Sequence, residues 1–322
     1  MKEERTGGKS MSNFAIIADP ASGLYKDLRE RYGIDDIIPG HLTFPDGSDH
    51  VWNLDWEGMT PDEYYLSMAR GKKIYRTGAP NPDEIRNAME RALMAGRDVL
   101  IVALSSGMSG TYNVMLEAKK ELGVKYPDRK IEIVDSKHFS AGIILMNIKA
   151  SEMREQGFDV TQTASWLREH LYCYRQAGPM NDLRFLARSG RISGVKAFFG
   201  TLASINAIGE FGRSGMTEVL GNVKGVKRAL RVCIEYAKAT AENIEEQTIV
   251  ISHSYRPKEA AALKALAESE LHPKEIIENR VDMICGANIG PGMAAIYYLG
   301  KPISEDLSEE RELIAALTKK FG

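Results

Sequence analysis

The order of apolar and polar positions divides the chain into short continuous apolar runs and longer periodic ones. "FAIIA" (Phe14 to Ala18) is closed by Asp19 and Pro20, and helical spacing follows in "SGLYKDLRERYG", which predicts a strand and then a helix. "DIIPGHLTFPDGSDHVWNL" alternates apolar and turn residues around Pro45-Asp46-Gly47, predicting a hairpin excursion near residues 38–56. Two helices mark their own starts. Thr60, Pro61 and Glu63 form one capping box, and Asn81, Pro82 and Glu84 form a second, in a helix that ends at Gly96. Next come the strand "DVLIVALSS", the helix "SGTYNVMLEAKKELG", the strand "KIEIVDS" and the mostly apolar helix "SAGIILMNIKASEMREQG". Strands alternating with helices imply a parallel sheet covered on both faces. The expectation is therefore an α/β fold, with an N-terminal doubly wound parallel-sheet domain over 13–160.

Beyond residue 160 glycines become frequent and the apolar runs shorten. A helix in "FDVTQTASWLREHL" leads to a hairpin around Arg213 to Gly215 and a long helix from Val223. The strand "TIVISH", the helix "PKEAAALKALAESE" and a closing strand and helix around "GANIGPGMAAIYYLG" complete this part. The mixture suits a two-layer α+β domain over 161–302, followed by an amphipathic C-terminal helix in 303–322. The first dozen residues read as a loose tail.

A length of 322 residues exceeds what one core usually serves, in keeping with two domains. The net charge of -2 lacks the basic excess that nucleic-acid binding needs, and "VKGVKRALR" reads as one solvated helix face. Cys173, Cys233 and Cys285 are widely spaced and form no disulfide framework, so a reducing, cytoplasmic setting is expected. No run has the length of a signal-peptide core or a membrane span, and no Cys/His cluster has metal-ligand spacing. No metal and no cofactor are expected.

The candidate chemistry lies in "LIVALSSGMSGTYN", where a strand enters a glycine-serine turn that opens a helix. Free N–H groups and the hydroxyls of Ser106 and Ser109, beside Gly110, would suit a carboxylate or phosphate. The helix dipole adds about 0.3–1 kcal/mol for an anion placed there. The stretch matches neither a P-loop, nor a dinucleotide fingerprint, nor a nucleophile elbow. His253 ends a predicted strand and, with Asp135 and Ser109, offers the residue types of a hydrolase triad. Asp135 reads better as a loop-holding residue, and His138 as a polar loop residue.

These motifs, in this order, resemble the DegV family of bacterial fatty-acid-binding proteins, whose members serve as acyl-carrier subunits of fatty acid kinases. The matching stretches are "TGAP" (Thr77 to Pro80), "SSGMSGTYN", "IVDSKHFSAG", "LRFLARSGRIS", "NVKGVKRAL", "ISHS" and "GPG" (Gly290 to Gly292), spread over residues 14–302. The resemblance implies a fatty acid in a tunnel between the domains, its carboxylate held by Thr77 and Ser109, with Arg191 near the head group. It further implies a non-catalytic lipid-binding protein with a fatty acid kinase as partner. Ala18-Asp19-Pro20 stands where the family usually has Thr-Asp-Ser, Asn288 where it has histidine, Gly78 where it has serine, and Asn222 and Lys224 where it has lysine and arginine. The expected ligand-facing residues are Asp19, Thr77, Ser106, Ser109, Gly110, Arg191, His253 and Asn288. "FFGTLASINAIG" and "ILMNIKA" are candidate tunnel walls. Two other readings stay open: a lipid hydrolase or acyl transferase using Ser109, and a carrier or sensor of another small carboxylate or lipid.

Overall fold

The structure, a computed structural model, describes residues 14–70, 73–193 and 205–321. The expected N-terminal tail, and 198–204 of the candidate wall "FFGTLASINAIG", lie outside the described residues. The first elements are β1 (Phe14–Ala18), α1 (Lys26–Arg31), β2 (Asp36–Ile37), β3 (Gly40–Thr43), β4 (Asp49–Trp52), α2 (Pro61–Ala69) and β5 (Arg76–Gly78). Then come α3 (Pro82–Met94), β6 (Asp98–Ala103), α4 (Thr111–Lys125), β7 (Ile131–Asp135), α5 (Ala141–Glu155) and α6 (Val160–Glu169). The remainder opens with β8 (Tyr174–Met180), α7 (Arg184–Ser189), β9 (Ile192–Ser193), β10 (Ile205–Phe211), β11 (Thr217–Lys224) and α8 (Val226–Thr240). It closes with β12 (Thr248–Ser254), α9 (Pro257–Glu270), β13 (Glu275–Arg280), α10 (Met283–Ile289), β14 (Met293–Leu299) and α11 (Ser308–Phe321).

The first sheet has the order β2-β1-β6-β7, with every pairing parallel. Its central strands are continuous apolar runs because both of their faces are covered. Ile85 and Met89 of α3 and Met115 and Leu122 of α4 bury one face, and α5 and α6 cover the other. Chain direction across the sheet reverses between β1 and β6, so their carboxyl ends flank the crevice in which ligands of open α/β sheets collect.

The second sheet is mixed, in the order β13-β12-β14-β8-β10-β11-β9. Helices α8 and α9 pack on one face, with α11 lying along α8 and β11. The opposite face rests on α5, which also touches β1 and β6. Eleven residues of α5 are buried, from Ala141 to Met153, so its apolar character all round reflects a position between two sheets. "ILMNIKA" is therefore core rather than ligand wall. Helix α6, expected to open the second domain, packs against β6, β7 and α5.

One further element differs from the sequence reading. The helix expected from Val223 begins at Val226, because Thr217–Lys224 pairs with β10 as a hairpin strand; Gly225, at φ 83°, makes the turn between them. The hairpin excursion, readable as an insertion or an edge element, is an insertion that forms a sheet of its own. β3 pairs with β4 on one side and with β5 on the other, and Leu42 stands opposite Thr77. This separate three-stranded sheet carries Thr77 to the crevice.

Both capping boxes form. Glu63 N–H donates to Thr60 Oγ1 at 3.2 Å and Thr60 N–H to Glu63 Oε2 at 2.8 Å, while Glu84 Oε2 accepts from Asn81 N–H at 3.0 Å.

Candidate functional site

A cavity of about 470 Å³ opens at the β1/β6 crevice. Asp19, Thr77, Ser109, Gly110, Arg191 and Asn288 all line it. Its apolar wall comes from both halves of the chain: Pro20, Leu104, Met108 and Phe139 from the first, and Leu186, Ile284 and Ile289 from the second. Thr77 Oγ1 accepts from Asn288 Nδ2 at 3.4 Å, which ties β5 to α10. Thr111, not singled out in the sequence, also lines the cavity. It shares a hydrogen bond with Ser109 through the two hydroxyls at 2.9 Å. Its signal was present, since it is the first helical residue after a serine-glycine pair.

The turn itself is less open to an anion than its sequence suggests. Ser106 N–H donates to Asp135 Oδ1, Gly107 N–H to Ser105 Oγ, and Met108 and Ser109 N–H to Ser105 O. Thr111 N–H donates to Ser109 Oγ at 3.2 Å. Helix α4 starts at Thr111 with Gly110 as its cap, not at Ser109. Among the described residues no partner is found for the Gly110 N–H. The groups left to a ligand are that N–H and the hydroxyls of Thr77, Ser109 and Thr111.

Two expected residues lie elsewhere. Ser106 does not line the cavity; its Oγ donates to Asp135 Oδ2 at 2.5 Å and accepts from Lys137 Nζ at 2.9 Å. Burial works against ionisation of Asp135, but Lys137 and Ser106 outweigh it and hold the carboxyl below its ordinary range. Asp135 thus braces the turn. His253 sits on β12, in register with Arg280, and its Nδ1 accepts from Arg256 N–H at 3.0 Å. Burial, then the Arg280 charge, pushes its imidazole down to about 4, so it is neutral at pH 7. Among the described residues no histidine lines the cavity, and His253 does not join Ser109 there as a hydrolase triad requires. His138 is buried, its ring nitrogens facing the carbonyls of Ser136 and Tyr174.

Arg191 reaches the cavity from the turn after α7, where Gly190 caps the helix at φ 73°. Its Nε donates to Met108 O at 3.1 Å and its Nη1 to Ser189 O, so part of the guanidinium is committed to the turn it faces. Asp19 is fully buried; Oδ1 accepts from Ala21 N–H at 2.8 Å and Oδ2 from Leu104 N–H at 2.9 Å. Burial raises its carboxyl to about 6 against those bonds, and the Asp282 charge adds to the rise. Asp282, the cap of α10, is likewise raised to about 6 by burial, and its Oδ2 has no partner. Among the described residues no group of His, Cys, Asp and Glu could hold a metal ion, and no helix is long and apolar enough to cross a membrane.

Comparison with known proteins matches residues 13–301 to the family model described as "Uncharacterised protein, DegV family". The chain belongs to the DegV family. A DegV domain-containing protein of Clostridium perfringens is 30% identical over 90% of this chain and 98% of its own length. Among solved structures, a DegV family protein from Thermus thermophilus, described by its fatty acid binding, is 26% identical. It superposes with a TM-score of 0.80 over 89% of this chain and 99% of that one. A stearic-acid-binding protein from Eubacterium ventriosum shares the fold, with a TM-score of 0.77 at 21% identity, covering 89% of this chain and 98% of its own. The doubly wound first sheet and the separate second sheet of this DegV protein are the architecture those structures share.

Proposed function

We propose that this DegV protein binds a fatty acid in the crevice cavity, its carboxylate accepting hydrogen bonds from Thr77 and Ser109. The observation that carries the reading is their convergence. Two hydroxyls from separate sheets line one cavity whose other wall is apolar and drawn from both halves of the chain. A carboxylate entering apolar surroundings needs such partners, while each buried CH₂ of the tail stabilises the complex by about 0.8 kcal/mol. The fatty acid bound by the Thermus thermophilus relative supports the ligand class. The family resemblance extends the reading to a cytoplasmic carrier that needs no cofactor and presents the carboxylate to a fatty acid kinase subunit.

Native mass spectrometry of gently purified protein tests the first part: a co-purified acyl chain of defined mass is expected, and an empty protein that takes up no added fatty acid overturns it. The second part is tested by ATP-dependent acyl phosphate formation when the loaded protein is mixed with a kinase subunit. No turnover with any bacterial kinase subunit leaves a binding protein without that partner.

A further inference from the structure

Between Gly33 and Ala69 the chain carries eight Asp or Glu and no Lys or Arg, although the whole chain is nearly balanced at -2. Some of these carboxylates find cations elsewhere in the fold: Asp35 pairs with Arg97 and Arg154, Asp55 with Arg29, and Asp62 with Arg280. Glu57 is exposed and has no ion-pair partner among the described residues.

This acidic stretch encloses a second cavity, of about 190 Å³, whose wall includes Phe44, His50, Trp52, Met59, Asp55 and Glu57. The Phe44 and His50 rings lie 3.9 Å apart, and Trp52 is 4% exposed with an Nε1 that has no partner. Met283 of α10 also lines it, while Ile284 and Cys285 of the same helix line the main cavity, so α10 is the partition between the two. Aromatic faces together with an unpaired carboxylate attract a cation that tolerates partial desolvation, and a volume equal to about six waters fits a small molecule.

We propose that this cavity is a second binding site, taking a small quaternary amino alcohol, with its ammonium between the aromatic wall and Glu57. The proposal is independent of what the main cavity binds. The same head group occurs free or on a phospholipid, and the test separates the two.

Choline chloride is titrated into the full-length protein and followed by saturation transfer to its N-methyl protons. The neutral isostere 3,3-dimethylbutan-1-ol and phosphatidylcholine vesicles are run in parallel. Saturable binding of choline, absent with the isostere and weakened at least fivefold in Glu57→Gln, is expected and assigns a free ligand. Vesicle binding that Glu57→Gln weakens, without binding of free choline, supports the same site with a lipid source. Equal binding of the isostere, an unchanged Glu57→Gln protein, or no binding in either arm overturns the proposal. Glu57 is exposed, so the variant should fold normally, and an unchanged melting temperature verifies that it does.

Discussion

Thr77 and Ser109 each offer one hydroxyl to the cavity; Thr77→Val removes a single donor, while Ser109→Ala also takes the acceptor from the Thr111 N–H at the start of α4. A hydrogen bond to a charged group contributes about 1.5–3 kcal/mol, so each variant should bind fatty acid roughly 10- to 100-fold more weakly in a calorimetric titration. Asp282 gives a second test, in pH. Its carboxyl sits at about 6 in the folded protein against an ordinary 3.8, so protonation favours the fold. The contribution of Asp282 to stability is therefore most favourable below about pH 4, falls as pH rises towards 6, and levels off above. Asp282→Asn keeps the cap on Cys285 N–H and removes the charge. The melting-temperature difference between variant and wild type should be near zero at pH 4, widen in the variant's favour up to pH 6, and then stay constant. Its plateau corresponds to about 3 kcal/mol at 1.36 kcal/mol per pKa unit. A difference that is flat with pH would show that this carboxyl is not raised.

At the scale of elements, what was legible in the sequence was local. The capping boxes at Thr60 and Asn81 and the strand-turn-helix at Ser109 are written within a few residues, and each formed. The three residues of β5 have no periodicity of their own; their pairing with β3 depends on a hairpin more than thirty residues upstream. His253 lies at a strand end, as expected, but belongs to the other sheet, while Ser106 lies in the turn after β6, which stops at Ala103, and bonds to Asp135. Strand ends can be read from one sequence, but not the neighbours that turn each side chain. The clasp between Ser105 and the β10–β11 hairpin was equally hidden. Ser105 Oγ donates to Gly215 O at 2.7 Å, and a Cβ on Gly107 would stand 2.2 Å from Ser214 O. Gly107→Ala should therefore lift the hairpin off the turn, destabilise the protein by about 1–3 kcal/mol in urea unfolding, and weaken ligand binding through displaced Ser109.

For the whole molecule, α5 decides how the two sheets behave. A helix buried on every side joins its two covering layers into one core, so the halves should unfold together. Scanning calorimetry should give one transition whose calorimetric and van't Hoff enthalpies agree. Two resolved transitions would show that the sheets are energetically separate. Within the second half, the buried Arg175 ties β8 to β10 and α11: it meets Glu210 at 2.9 Å and Glu310 at 3.4 Å. Arg175→Met leaves two buried carboxylates without their cation and should cost about 3–5 kcal/mol. Replacing Glu310 alone should cost less, since Glu210 still faces the guanidinium.

The outlying ribbon β3-β4-β5 shares no strand with either larger sheet, yet it supplies one of the two hydroxyls proposed to grip the head group. Sequence drift in that ribbon shifts half of the grip while the other half stays anchored to the parallel sheet. Because Leu42 and Trp52 of the same ribbon also belong to the main core, a change of cargo preference written there is paired with a change in thermal robustness.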